Sequence, residues 1–359
     1  MAEFQAYSCD AITGAVIDRV PFSAFAYSRM LSAGDSGSSI AVPIDGTLTK
    51  TELRHLFQHL SRMIVLERDG VVEYMGRVQT RGYARGASFL QIGLSDIWTW
   101  LARRGGWDHS VANVEKWSTT ETGNLAAQAA AAIVRGRDIG PVLPAMGLPL
   151  TLPGGGAGPS VTRKYFGYHL DTVGDVIADL LDEGLDIYFK PRWITSGDAD
   201  WLYQAGQGWN SGVTREFYVT AEQSDVVAFS ESSDAARVTN NARYIGEGSE
   251  QDMLVRSERN TASPYPLMDR ITQAKNVSNV AQLSALAAQD LSIYGDPTFQ
   301  WSFQVSGDSP VDVGDKVRLH FDGDPWIADG WHERRVVNVA ASIPGPDVKT
   351  ISVQATGGA

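Results

Sequence analysis

Residues 63–78 read MIVLERDGVVEYMGRV, and the pair Asp69-Gly70 at the centre decides how the first third folds. Both central positions of a two-residue hairpin turn need positive φ, which Asp and Gly tolerate, and apolar runs flank this pair on either side. Met63–Glu67 and Val71–Val78 are therefore expected as the arms of a hairpin. Upstream, Thr49 and Glu52 form a capping-box pattern followed by Leu53, Leu56, Phe57 and Leu60 at helical spacing, which predicts a helix near Lys50–Ser61. Downstream, Ser88–Leu94 has strand character. Ser95 can cap a short helix running to Arg104, with Trp98 and Leu101 on one side. Gly105-Gly106 ends the segment and marks a domain boundary.

Beyond that boundary the pattern changes. Ser118 and Glu121 repeat the capping pattern before an Ala-rich helix, Leu125–Arg135. Gly136–Ser160 carries many Gly and Pro residues, including Gly154-Gly155-Gly156, and is expected as a long loop or linker. Asp171 or Thr172 can cap an amphipathic helix whose apolar stripe is Val173, Val176, Ile177, Leu180 and Leu181. Gly184 sits where a C′ glycine belongs. Leu185, Ile187 and Phe189 then alternate with Asp186, Tyr188 and Lys190, as in a half-buried strand.

The last third returns to strands around one helix. Ser278 or Asn279 starts that helix, Leu283, Leu286, Ala287 and Leu291 form its face, and Gly295 with Pro297 stops it. Phe299–Val305, Lys316–Phe321, Trp331–Val339 and Thr350–Val353 are expected strands. Together these patterns predict a β-rich α+β chain: two strand-rich, barrel-like domains with a small α/β domain between them. The expected division is 1–105, with 213–235 as candidate completing strands, then 106–212, then 236–359 with an inserted helical segment at 263–296.

Composition narrows the classes. No apolar run reaches the ~18 residues of a membrane helix. The opening MAEFQAYSCD lacks the basic start and apolar stretch of a secretory signal, so neither a membrane anchor nor that export route is expected. Cys9 is the only cysteine, which excludes an intramolecular disulfide and a Cys-based zinc cluster and fits assembly in a reducing cytoplasm. Forty-two acidic against 30 basic residues give a net charge of −12. Such a surface repels phosphate backbones; it fits ordinary solubility and equally a surface that DNA passes without sticking.

Each candidate for chemistry has a plainer reading. His55 and His59 stand four apart on the predicted helix, but Leu56 occupies the position where a zincin needs Glu. The Gly154–Gly158 run lacks the Gly-Lys-Ser/Thr ending of a phosphate loop. Asp179, Asp182, Glu183 and Asp186 could supply a glycosidase pair, although a solvated helix face accounts for the first three. Asp322-Gly323-Asp324 lacks EF-hand spacing. Trp193, Trp201 and Trp209 recur every eight residues and could stack on sugars, yet buried Trp is commoner. No G-x-S-x-G elbow is present. No catalytic residue, metal or cofactor is therefore expected.

Organisation then carries the reading. The hairpin Ile64–Val78, followed by Leu90–Asp96 and Arg103-Arg104, is one of three telling stretches. The helix–Gly–strand unit Val173–Pro191 is the second. The third joins Asn241–Gly248, the helix before Gly295-Asp-Pro297, and Val313-Gly-Asp-Lys-Val317. In this order they resemble the baseplate hub family of phage tails, in particular minor tail proteins at the tips of long-tailed actinobacterial phages. The resemblance implies a non-enzymatic virion protein of the tail tip, assembled in the host cytoplasm. Three copies would form a ring between the tail tube or distal tail proteins and other tip proteins, with DNA passing through it unbound. Many such proteins continue into a peptidoglycan hydrolase. This chain ends at Gly357-Gly358-Ala359, so that activity is not expected. The alternatives are a cell-wall hydrolase and a carbohydrate-binding tail protein.

Overall fold

Asp69 and Gly70 adopt φ of 48° and 85°, and the hairpin forms around them. The structure is a computed structural model and describes residues 3–32, 37–108, 113–137, 147–153, 158–248, 252–274 and 277–355. It begins with β1 (Phe4–Asp10), β2 (Val16–Val20), β3 (Ala24–Met30), β4 (Ser39–Pro43), α1 (Lys50–Leu56), β5 (Arg62–Arg68), β6 (Val71–Gly82), β7 (Phe89–Ser95) and α2 (Ile97–Leu101). These strands pair antiparallel in the order β2-β1-β5-β6-β7-β4-β3. Met63 and Val65 of β5 enter one core and Ile64 and Leu66 another. A strand covered on both faces needs apolar residues in both phases, which explains the unbroken MIVL run. The Thr49–Glu52 capping box forms, but α1 stops at Leu56 because Phe57 leaves the helical region (φ −121°, ψ 34°) and buries its ring completely. Asp96, not Ser95, caps α2, accepting the Trp98 N–H at 2.9 Å; Ser95 ends β7 instead.

The middle of the chain contributes β8 (Ser118–Gly123), α3 (Leu125–Arg137), β9 (Leu150–Thr151), β10 (Val161–Phe166), α4 (Val173–Asp182), β11 (Leu185–Thr195), β12 (Asp198–Gln207) and β13 (Thr214–Tyr218). Ser118 and Glu121 do not cap α3: their Thr-rich segment pairs with β10 as a strand, and Asn124 accepts the Ala127 N–H instead. The expected loop Gly136–Ser160 holds the last residues of α3 and the short β9, which pairs with β12; its residues 138–146 and 154–157 lie outside the described residues. Thr172 caps α4 through a capping box with Asp175, and Gly184 takes φ 90° just beyond it. Val173, Ile177 and Leu180 are fully buried. They share one core with Met63, Val65, Leu125, Ala129 and Ile187.

The remainder comprises β14 (Val226–Asp234), β15 (Asn241–Ile245), β16 (Val255–Arg259), β17 (Asp269–Gln273), α5 (Val280–Tyr294), β18 (Thr298–Ser306), β19 (Lys316–Phe321), β20 (Gly330–Ile343) and β21 (Val348–Ala355). The chain divides into two compact units. One is Met1–Ala228 with Phe303–Ser352, the other Phe229–Ser302 with Val353–Ala359. In the first, β20 pairs with β3 over Asn338–Ile343, which makes the C-terminal strands part of the N-terminal sheet. β19 pairs with β20, and β13 lies parallel on β19. The alternation read in Lys316–Phe321 holds, with Val317, Leu319 and Phe321 fully buried. In the second unit, β16-β15-β17 form a three-stranded sheet. Leu283 and Ala287 of α5 are buried together with Ala242, Tyr244 and Val277. Asn279 caps α5, accepting from Ala281 and Gln282. With 47% strand and 17% helix, the chain is β-rich α+β, and among the described residues no sheet closes into a barrel. Among the described residues no helix is long and apolar enough to cross a membrane.

Candidate functional site

The inward phase of β3 runs Phe25, Tyr27, Arg29, so alternation carries a guanidinium into the first unit's interior. Four other segments bring charge to it. Arg29 Nη2 lies 3.4 Å from Glu73 Oε2 on β6, and Nη1 lies 3.0 Å from Asp312 Oδ1. Lys349 Nζ of β21 reaches Glu73 Oε1 at 2.7 Å, and Lys190 Nζ of β11 reaches Asp312 Oδ2 at 2.8 Å. Two hydroxyls complete the cluster. Tyr27 donates to Glu73 Oε2 at 3.1 Å and Tyr188 to Asp312 Oδ1 at 3.0 Å. Burial alone would raise the Asp312 pKa, but Arg29 and Lys190 hold it down at about 2. Burial opposes the charge on Arg29, yet Tyr188, Asp312 and Glu73 raise its pKa well above the ordinary value. On Lys349 burial prevails over Glu73 and lowers the pKa.

Asp312 opens a turn that organises this junction. Asp315, 2% exposed, accepts from Arg215 Nε at 2.8 Å, from Ser211 Oγ at 2.5 Å and from the Asp312 N–H at 3.1 Å. Between the two acids, Gly314 has φ 85°, and a Cβ there would overlap the Trp209 ring. Arg335 of β20 donates to the Trp209 carbonyl and to Asp186 of β11. Residues 312–315 thus fasten strands from the first, middle and last thirds together. Charged groups this buried act as fasteners whose single removal leaves an uncompensated charge. Nothing in the cluster resembles an acid and base facing an open substrate site.

The residues singled out by sequence fall elsewhere. His55 lies in the last turn of α1 and His59 past its end; Arg62 Nη2 stands 3.5 Å from His55 Nδ1 and Arg81 Nε 3.4 Å from His59 Nε2. Guanidinium groups against both rings disfavour a cation there. Asp179 and Asp182 are exposed on α4; burial, then Asp171 and Asp182, raise the Asp179 pKa. Glu183 pairs with Arg163 and Asp186 with Arg335. Asp324 accepts the N–H groups of Trp326 and Ile327, as a turn residue. Trp201 is 2% exposed, Trp193 donates to Glu67 and packs edge-on against Tyr7, and Trp209 packs on Gly314 and Tyr188. None of the three forms a sugar platform. Burial pushes the Cys9 thiol up to about 12. Residues 154–157 of the glycine run lie outside the described residues. Among the described residues, no three His, Cys, Asp or Glu side chains gather as a metal site.

Sequence reading missed an aromatic surface on β13, β19 and β20. Tyr218, 54% exposed, stands 5.1 Å from Trp331, and His320 stands 4.9 Å from the same ring. Arg318 lies over Trp331 at 4.7 Å and pairs with Glu216. The rings meet edge-on or tilted, and one Trp331 face carries Arg318, so they do not form a flat stacking platform.

No protein-family profile matches the sequence, and no curated protein matches it. Solved structures do share its fold. The 43 kDa tail protein of prophage MuSo2 from Shewanella oneidensis aligns with a TM-score of 0.60 at 10% identity, over 99% of each chain. A tail protein from Neisseria meningitidis MC58 aligns with a TM-score of 0.58 at 12% identity, over 99% of this chain and 97% of that one. The E. coli c3393 protein is a component of the type VI secretion system that exhibits structural similarity to T4 bacteriophage tail proteins gp27 and gp5. It aligns with a TM-score of 0.52 at 10% identity, over 94% of this chain and 74% of that one. At such identities the likeness is one of fold.

Proposed function

We propose that this chain is a structural protein of a phage tail tip, a baseplate hub. Three copies form a ring that joins the tail tube to the tip and lets DNA pass during ejection. The observation that carries the reading is the shared fold with phage tail proteins over 99% of both chains. The narrower placement, among minor tail proteins of long-tailed actinobacterial phages, rests on the sequence stretches given above. On this reading 1–105, with 213–235 as candidate completing strands, and 236–359, with its inserted segment 263–296, are the two hub domains, and 106–212 lies between them in sequence. The protein takes its place in the virion after assembly in the host cytoplasm, catalyses no reaction and needs no cofactor.

A hub transmits force between neighbours, and the junction around Asp312 suits that task by tying distant strands into one body. The surface at Tyr218, Trp331 and Arg318 has the residue types that dominate interface hot spots. Copy number tests the proposal. Quantitative mass spectrometry of purified particles should return three copies of this chain for every six tail-tube subunits of one ring. One copy, or six, would overturn the trimeric hub.

A further inference from the structure

Arg77 of β6 is a half-buried cation with no carboxylate in salt-bridge contact among the described residues. Its Nη2 donates to the Ala11 carbonyl at 3.2 Å, and its Nε is buried with no hydrogen-bond partner. Arg29 and Arg335 of the same unit each have carboxylates in contact; among the described residues, none pairs with Arg77. Burial pushes its pKa down to about 10. A partly desolvated guanidinium with an unsatisfied N–H is unfavourable, and an anion arriving at its open edge would relieve it.

Arg77 also lines a cavity of about 370 Å³, near the lower end of the ~300–1,000 Å³ typical of small-ligand sites. Arg103 and Gln79 line it too, and β6 is bulged between Val78 and Thr80, next to these residues. Trp100, Leu60 and Ile12 supply apolar surface. The acids in the lining, Asp10 and Asp96, are engaged: Asp10 accepts from Ile12 and Thr13 and Asp96 caps α2. Their charges repel a monoanion less than a dianion, and a planar carboxylate can pair with a guanidinium edge.

We propose that this cavity binds a single carboxylate on an apolar body, the carboxylate meeting Arg77 and the body lying against Trp100. The carboxylate belongs to a free organic acid or to a polypeptide C-terminus. The site is independent of the hub reading, since it asks nothing of copy number or assembly.

Calorimetric titration of the full chain tests it with five probes: 3-phenylpropionate, its amide, inorganic phosphate, and the tripeptide Gly-Gly-Phe with a free or amidated C-terminus. At least one free acid should bind ten-fold or more tighter than its amide and tighter than phosphate. Preference for the tripeptide acid assigns a polypeptide source, and preference for phenylpropionate a free acid; both support the site. Arg77→Met should abolish acid binding while melting no lower than the unmodified chain, because it removes an unmatched charge. Should that variant misfold, the acid–amide comparison on the unmodified chain still decides. Equal binding of acids and amides, a preference for phosphate, or no binding of any probe overturns the proposal.

Discussion

The Arg29 guanidinium meets the Asp312 carboxylate at 3.0 Å, joining a strand in the first third of the chain to a turn in the last. Arg29 also serves Glu73, so one cation lies between two largely buried acids. Their attraction offsets the desolvation of all three only while the set is complete.

Arg29→Met leaves Glu73 with Lys349 and the Tyr27 hydroxyl, and Asp312 with Lys190 and the Tyr188 hydroxyl. We expect a loss of about 3–5 kcal/mol in unfolding free energy, measured by urea denaturation at neutral pH. A loss under about 1 kcal/mol, the scale of an exposed pair, would mean that the lysines suffice.

Acid should release part of the same stabilisation. The folded Asp312 pKa of about 2 lies below its ordinary 3.8, so folding favours the charged carboxylate. The contribution, roughly 2–3 kcal/mol, is fully present above pH ~4 and is lost as pH falls from ~4 to ~2. Asp312→Asn should therefore be less stable near neutrality and flatter across that acid window. Parallel stability–pH curves for the two proteins would contradict the assignment.

Gly314 and Gly323 separate backbone strain from crowding. Both have positive φ, 85° and 67°, but a Cβ at 314 overlaps the Trp209 ring whereas nothing lies within 4 Å of one at 323. Gly323→Ala should cost about 1–2 kcal/mol, the left-handed penalty alone. Gly314→Ala should cost roughly 1–3 kcal/mol more as the ring is displaced. Equal thermal shifts for the two would remove Trp209 from the account.

Local signals gave the parts, and distance hid their assembly. The Asp69-Gly70 turn, the stripe Val173–Leu180 and the alternation Val317–Phe321 depend on neighbours in sequence, so residue pattern alone exposes them. The β3–β20 pairing and the junction at Asp312 depend on residues far apart, and no local period reports them. A faint mark was present. Arg29 follows Phe25 and Tyr27 in the inward phase of its strand, and Lys349 precedes Ile351 and Val353 in theirs. A charge on the apolar phase of a strand requires a buried partner. Helix ends were misplaced at Phe57 and at Ser118 because tertiary packing and strand pairing overrode a local capping pattern.

Leu180 tests the α4 stripe directly. Its side chain is fully buried in the core shared by α3, α4 and β11. Leu180→Ala should cost about 2–5 kcal/mol, read as a lowered urea midpoint with an unchanged slope. Near-wild-type stability would mean that the site collapses around the smaller residue or that the stripe packs less tightly than the structure has it.

Tyr218 separates a role in assembly from a role in folding. Its ring is 54% exposed and touches Trp331 at 5.1 Å, so truncation removes little buried area from the isolated chain. Tyr218→Ala should then leave stability within about 0.5 kcal/mol, as for ordinary surface positions. If the surface is a joint of the proposed hub, the same change removes a hot-spot ring worth about 2 kcal/mol or more, which is roughly 30-fold in an equilibrium constant. We expect the variant to fold normally and to enter particles at least ten-fold less well when supplied in place of the native chain. Normal incorporation would put the joints elsewhere on the surface. A large loss of stability would instead assign Tyr218, with His320 and Trp331, to holding β13 on β19.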